Sequence, residues 1–588
     1  MHRLKKLLTT PLGRLSPKKA LLLIAAVLAF GFSLLIYTSL GELNDLNLRR
    51  VTGIPGGRDY LLIFQNDAER RPTGGFISSY AILRFRFGVP LIDFGNVYDT
   101  KLIQPGTELP DPTAFALIDG PLYPGHGLRD GNFDPDFPTS ARELIRLYQL
   151  GYPEQTFDGV IAVDFTAFEH LLAAVGGVEI DGQKFNSGNL FHAVESAVQD
   201  VDTHDPEQLA NRKNILSQLA KALIRKIVFS PLDLRAVSES LIASLNSKNL
   251  LLYFTDFELQ GTVKAKNWAG ELPFSADSDL LAIVEGNYGG MKSSRYLTRD
   301  IFYDVILRQT QDDDLKTGLQ AVANLKIQLA HRGDAAEPIS GYYKGYFRIF
   351  APLGSQLISG QVDRAYEDGR RQVFEKVVQM NPGETREIDL RYTLPDFVLD
   401  DGYSLELIKQ AGSAPERIRI SVKAPAGYLF STVDSRQNIR DSSFNLRENL
   451  AIFTGSLEQD RDLNLQIIPD TAPPGLAWQE FRGGLKQIDL RFNEPLDPAS
   501  VENAIYELRD LNYRNDRTDE ISVSSVRFVS PQNILLNVAG ITEECREWYE
   551  LTLGGVADQH GNALTDKKIT VVQWLNAAGE PCDPERAL

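Results

Sequence analysis

Residues 159–180 read GVIAVDFTAFEHLLAAVGGVEI, and this stretch decides the fold of the first body of the chain. GVIAV (159–163) predicts a strand, Asp164 caps the helix FTAFEHLLAAV, and Gly176 stops it. VEI follows at once as a further strand. Strand, helix and strand in so few residues predict a βαβ-like unit within an α/β domain.

Upstream, YLLIF (60–64) predicts a strand that leads through a polar loop into a second strand around Phe76–Phe85. Ser140-x-x-Glu143 has the form of a capping box opening a helix that contains Leu144, Ile145 and Tyr148. Downstream, Asp205-Pro206-Glu207 opens a long helix with proline at its first position. Leu209, Leu216, Leu219, Leu223 and Ile227 keep helical spacing, and Arg212 falls on the same stripe. Such an arginine either snorkels or pairs with a structural carboxylate, or it points into a site that holds an anion.

After about Asp300 short alternating strands take over, punctuated by turn signals such as Asn381-Pro382-Gly383. They predict one immunoglobulin-like sandwich to about Ile468. Asp470-Thr471-Ala472-Pro473-Pro474 reads as a stiff linker, and a second sandwich follows.

The 588 residues carry a formal charge of −17, which argues against nucleic acid as a partner. Residues 1–19 hold six bases and no acid, so the rest stands at −23. Ala20 to Leu40 is uncharged for twenty-one residues, enough for a helix of about 30 Å, one bilayer core. The preceding bases should stay on the cytoplasmic side of the membrane, a single-pass cytoplasmic membrane anchor that leaves the C-terminal body extracytoplasmic. A cleaved signal peptide would have a shorter apolar run and a small-x-small site, and Tyr37-Thr38-Ser39-Leu40 is a poor one. Cys545 and Cys582 are the two cysteines, and an outward body would permit a disulfide between them or leave two thiols. The seven histidines are scattered, and no CxxC or HExxH occurs.

Three loops could carry chemistry. Gln65 to Gly75 (QNDAERRPTGG) combines Arg70 and Arg71 with Gly74 and Gly75, a combination suited to phosphate or pyrophosphate; an ordinary surface loop with internal salt bridges is the plainer reading. Asp130-Gly131-Asn132-Phe133-Asp134-Pro135-Asp136 spaces oxygen ligands for a hard cation, but Pro135 and Ala141 depart from an EF-hand, and Asx-turns explain the same residues. Gly286 to Ser293 is not a nucleotide loop, because Met291 separates glycine from lysine. Its turn, with Lys292 and Arg295, could still help to bind an anion. No GxSxG elbow or nucleophile–base pair is found.

Several long blocks resemble a family of bacterial membrane proteins, domain of unknown function 4012. They are FQNDAERRPTGGFISSY (64–80), DGNFDPDFPTSARELIRLY (130–148), DGVIAVDFTAFEHLLAAVGGVEI (158–180) and EGNYGGMKSSRYLTRDI (285–301), with YYKGYFRIFAPLGS and MNPGETREIDLRYTLP resembling its following β portion. More distantly, YLLIFQND and FTAFEHLLAAVGGVEI are similar to the LytR-CpsA-Psr family. Those proteins bind a polyprenyl pyrophosphate with Mg²⁺ and transfer its glycopolymer to peptidoglycan. The resemblance implies roles for Asp67, Asp99 and Arg212, and for Arg71 near the family's Arg-Ser-Asp-Thr segment, with Asp67 and Asp99 as Mg²⁺ ligands. One acidic ligand and one arginine of the family pattern are replaced, by Pro72-Thr73-Gly74 and by Tyr98. The last domain, through DTAPPG, LRFNEPLDPASV and YELTLGGVADQHGNALT, resembles the Ig-like modules of surface-layer proteins.

The expectation is thus an α+β multidomain protein: a basic tail (1–19), a transmembrane helix (20–40), a juxtamembrane link (41–57) and a LytR-CpsA-Psr-like α/β domain (58–300). A β-sandwich (301–468), a linker (469–475) and an Ig-like sandwich with a tail (476–588) follow. Its expected function is to bind, and as an enzyme to transfer, a polyprenyl-pyrophosphate-linked glycan toward the cell wall. Arg70, Gly74, Gly75, Lys292 and Arg295 are expected to contact that substrate. The alternative is a non-catalytic surface scaffold or adhesin that uses its β-sandwiches.

Overall fold

The structure is a computed structural model. It describes residues 43, 45–103, 111–118, 126–180, 182–199, 214–229, 234–309, 318–336, 338–400, 402–425, 427–431, 443–447, 449–482, 485–511, 521–540, 548–565 and 567–572. The expected membrane helix, Arg212 and both cysteines lie outside the described residues. Among those described, no helix is long and apolar enough to cross a membrane.

The chain is a mixed α/β protein of several units. In the first, helix α1 (Leu48–Thr52) leads into strand β1 (Gly57–Asn66), followed by β2 (Phe76–Arg86) and β3 (Val89–Gly95). Helices α2 (Pro112–Leu117) and α3 (Phe137–Gly151) precede β4 (Gly159–Asp164) and α4 (Phe165–Val175). A small hairpin, β5 (Val178–Ile180) and β6 (Gln183–Phe185), comes next. Helices α5 (Leu190–Gln199), α6 (Asn214–Phe229) and α7 (Leu234–Asn246), strand β7 (Leu250–Phe254) and α8 (Phe257–Ala265) complete the unit.

The five-stranded sheet has the order β3-β2-β1-β4-β7, and only β1 and β4 run parallel. Leu61, Ile63, Val160 and Ala162 face α3 on one side. Tyr60, Leu250 and Leu252 face Leu245 of α7 and Leu259 of α8 on the other.

Two local expectations are corrected. Among the described residues β5 pairs only with β6, so it does not return to the sheet as a β4-α4-β5 crossover would require. Gly176 and Gly177 both take positive φ (71° and 79°), which turns the chain away from the sheet into the hairpin. Asp136, not Ser140, caps α3: its side chain accepts from the Thr139 amide, and Ser140 Oγ donates to the Asp134 carbonyl. Glu143 pairs with Arg146 instead of closing a capping box.

Two seven-stranded sheets follow. β8 (Asp279–Asn287) lies in the first, antiparallel to Tyr343–Pro352 and parallel to Tyr403–Ile408. β9 (Leu297–Gln309) holds the same place in the second, antiparallel to Leu319–His331 and parallel to Glu416–Lys423. The sheets share one apolar core, in which Leu281 and Ile283 of β8 meet Ile301, Tyr303 and Val305 of β9. β9 alternates buried and accessible residues, whereas β8 is buried along its whole length. One face of β8 packs on this core, and Leu280, Ala282 and Val284 on the other pack with Leu272, Phe350 and Val373. The boundary expected at residue 300 is therefore corrected: β8 pairs within the β region. Residues 470–475 carry no strand, and beyond them four- and three-stranded sheets enclose a separate core that includes Ile488, Leu536 and Leu551.

Candidate functional site

Because β1 and β4 are parallel neighbours, with Gln65 opposite Asp164, the residues that leave their carboxyl ends converge beside the first turn of α4. A crevice outside the carboxyl ends of parallel strands is where open α/β sheets commonly place ligands. Asp67 and Asp164 stand here, 8% and 2% exposed. Asp67 Oδ2 accepts from the hydroxyl of Thr166, while Oδ1 is buried with no hydrogen-bond partner among the described residues. Asp164 accepts from the Ala167 amide at 2.8 Å and from Asn249 Nδ2 at 2.6 Å.

Burial raises the pKa of Asp67, against the pull of the Thr166 hydrogen bond and the charges of Arg70 and Arg295. Burial, and then the neighbouring Asp67, raises Asp164 well above the usual carboxylate range. Arg295 is half-exposed, 3.4 Å from Glu169, with its guanidinium 4.1 Å from the centre of the Phe191 ring. Burial lowers the pKa of His170, which contacts Ser244 Oγ at 3.2 Å. The site therefore joins two buried carboxylates, a helix N-terminus and one cation on its rim. Oxygen donors of this kind suit a hard divalent cation, and the rim suits a phosphate.

The expected site residues separate into those present here and those used elsewhere. Asp67 and Arg295 belong to the site. Asp99 does not: it accepts from Tyr152 at the end of α3, which holds its carboxyl below the usual range, and it lies on the α3 side of the sheet.

Arg70 and Arg71 are buried in the joint between the α/β unit and the β region. Arg70 Nη1 lies 2.7 Å from Glu285 of β8, a carboxylate with no exposure. Arg71 donates to the Asn287 carbonyl and to Glu69, and its guanidinium lies 4.5 Å from the Tyr288 ring centre. The 66–75 loop is thus neither an open anion cradle nor a surface loop. Its glycines serve backbone packing: a Cβ on Gly75 would lie 2.2 Å from the Asn66 backbone, and one on Gly412 2.3 Å from the Gly74 carbonyl. Asn132, read as a cation ligand, donates to Gln65 Oε1 and the Gly75 carbonyl, while Asp134 and Asp136 cap backbone amides. Lys292 exerts its charge on Glu69.

Asp164 was legible only as a helix cap, and Thr166, Glu169 and His170 only as helix residues. The signal available was the parallel register that sets Asp164 beside the end of β1. Elsewhere among the described residues, Asp470, Asp558 and His560 bring ligand atoms within 4.8 Å of one another. Asp558 already accepts from the His560 and Asn562 amides and from Asn562 Nδ2.

Residues 55–198 match the family described as Protein of unknown function (DUF4012). No curated protein matches the chain. Among solved structures, the Lin1025 protein of Listeria innocua is 10% identical, with a TM-score of 0.23 over 37% of this chain and 78% of that one. The transcriptional regulator yvhJ of Bacillus subtilis is 13% identical, with a TM-score of 0.22 over 39% and 86%. TagV of B. subtilis is 12% identical, with a TM-score of 0.21 over 37% and 80%.

Proposed function

We propose that the α/β unit binds a polyprenyl-pyrophosphate-linked glycan through a divalent cation at the carboxyl ends of β1 and β4, on a single-pass protein whose body lies outside the cytoplasmic membrane. The observation that carries this reading is the buried Oδ1 of Asp67, which has no hydrogen-bond partner among the described residues and lies beside a second buried carboxylate. Such an oxygen costs about 1–3 kcal/mol, and more when charged, unless something meets it. Asp67 and Asp164 would hold Mg²⁺, which would offset charge on a bound pyrophosphate. Arg295 and the first-turn amides of α4 suit its remaining oxygens.

The reading is one of binding. Transfer of the glycan to peptidoglycan needs cations on the leaving group, and Arg70 and Arg71 are already held by Glu285, Glu69 and the Asn287 carbonyl. That commitment favours a second reading, in which the α/β unit is a structural platform for a scaffold or adhesin. Thermal unfolding of the full chain with and without MgCl₂ separates the two. The binding reading predicts stabilisation of about 2–3 kcal/mol at a hundredfold excess over Kd, lost in Asp67→Asn. A melting temperature indifferent to Mg²⁺ in the wild type favours the platform.

A further inference from the structure

In the C-terminal unit the four-stranded sheet has the order Leu476–Arg482, Gln487–Phe492, Asn533–Ala539, Ser522–Ser530. One face packs on the core through Ile488, Leu490, Ile534 and Leu536, so the residues that alternate with them stand on the other face. The register sets this outer face in rows across the strands. Trp478 lies opposite Arg491, and Arg491 opposite Asn533. Glu480, Asp489 and Leu535 form the next row, and Gln487, Asn537 and Ser525 the third. Rows are about 7 Å apart along the strands, so the face measures roughly 14 Å by 14 Å.

Two features set it apart from a merely solvated face. Trp478 is 42% exposed, with the Arg491 guanidinium 5.0 Å from its ring centre. Asp489 is 5% exposed: Oδ2 accepts from Arg482 at 3.0 Å, while Oδ1 is buried with no hydrogen-bond partner among the described residues. Asn533 Oδ1, one strand and one row away, is in the same condition. Beside them the amides of the third row are ordered. Gln487 Nε2 donates to Asn537 Oδ1 at 2.9 Å, and Asn537 Nδ2 donates to Ser525 Oγ at 2.8 Å.

We propose that this face binds a polysaccharide built of uncharged pyranose units. Both orphan oxygens are acceptors, so the missing partner must bring donors, and sugar hydroxyls are donors. A pyranose ring also presents a C–H face, which suits an exposed indole, apolar across its ring and polar at its edge. Arg482, Arg491 and Arg527 stand against Glu480 and Asp489, so the face is nearly neutral and does not select a polyanion. A protein partner would want a contiguous apolar centre. Here one ring stands among guanidinium and amide groups, and Leu535 is 6% exposed. The proposal is independent of the Asp67 crevice, because this unit has its own core.

The test presents the full chain, in a detergent without a sugar headgroup, to an array of immobilised neutral oligosaccharides of hexose and N-acetylhexosamine units. The wild type should be retained on members of the array. Trp478→Ala should lower the apparent affinity at least about tenfold and leave the melting temperature unchanged, since the ring lies outside the core. Trp478→Phe keeps an aromatic face and should stay within about threefold of the wild type. Trp548→Ala is the control: that ring is 47% exposed on the three-stranded sheet, and its loss should not matter. An equal loss in Trp548→Ala, or retention that Trp478→Ala leaves unchanged, overturns the proposal. No retention of the folded wild type also overturns it and leaves the face to a protein partner. Farnesyl pyrophosphate carries no sugar, so its binding at the Asp67 crevice succeeds or fails separately.

Discussion

At Asp67 burial and charge oppose each other: the carboxylate sits beside Asp164, and the nearest cations are Arg70, already paired, and Arg295 on the rim. Asp67→Asn removes a buried carboxyl whose charged form burial disfavours. In buffer free of divalent cations it should raise the melting temperature by about 2–4 °C, read by calorimetry. A fall would mean that the carboxylate is part of the scaffold. Asp279 tests the same physics away from the site. Burial pushes its carboxyl up to about 6, against hydrogen bonds from Tyr303 and Tyr403 at 2.7 Å. Its folded value lies above the usual 3.8, so the contribution is whole below about pH 4 and is lost as pH rises through 6. The wild type should lose about 3 kcal/mol relative to Asp279→Asn between pH 4 and pH 7.5, measured by denaturation at each pH. A pH-independent difference would contradict it. Of the site, Asp67 was expected only through the resemblance of YLLIFQND to a known family, and Arg295 because basic turns show in sequence. Arg70 and Arg71 misled because a guanidinium that binds phosphate and one that binds a buried glutamate look alike until Glu285 is placed.

Loop 66–75 and strand β8 form the element that joins the α/β unit to the β region. The Asn287 amide donates to the Arg70 carbonyl, Ser294 to the Ala68 carbonyl, and Thr73 bridges to Ala411. Arg70→Ala would leave Glu285 buried with its nearest cation gone and should cost about 3–5 kcal/mol. Gly412, at φ +68° with the Gly74 carbonyl in the way, allows a gentler probe. Gly412→Ala should cost about 2–4 kcal/mol in urea unfolding, and near-neutral behaviour would show that the joint is looser than described. The β4-α4 passage was read from its cap and stop residues, and both hold: Asp164 accepts from Ala167 and Gly176 takes φ 71°. What followed was misread because VEI is too short to reveal its partner. β8 escaped assignment to its sheet because DLLAIVEGN, buried on both faces, lacks the alternation that marked β9.

Across the whole molecule, the change of texture near residue 300 announced the β region, but pairing between β8 and distant strands such as Tyr403–Ile408 leaves no local trace. The buried joint ties the α/β unit to the paired seven-stranded sheets, whereas the C-terminal unit has its own core. Calorimetry should therefore show two transitions, the larger covering residues up to 469; three separate transitions would contradict the joint. The central claim concerns the crevice above β1 and β4, and titration calorimetry of the full chain with farnesyl pyrophosphate tests it most directly. The account predicts binding that requires Mg²⁺ and that Asp67→Asn weakens at least about tenfold, a loss of roughly 1.4 kcal/mol. Binding that is indifferent to Mg²⁺ and to Asp67, or no binding by the folded wild type, would contradict it.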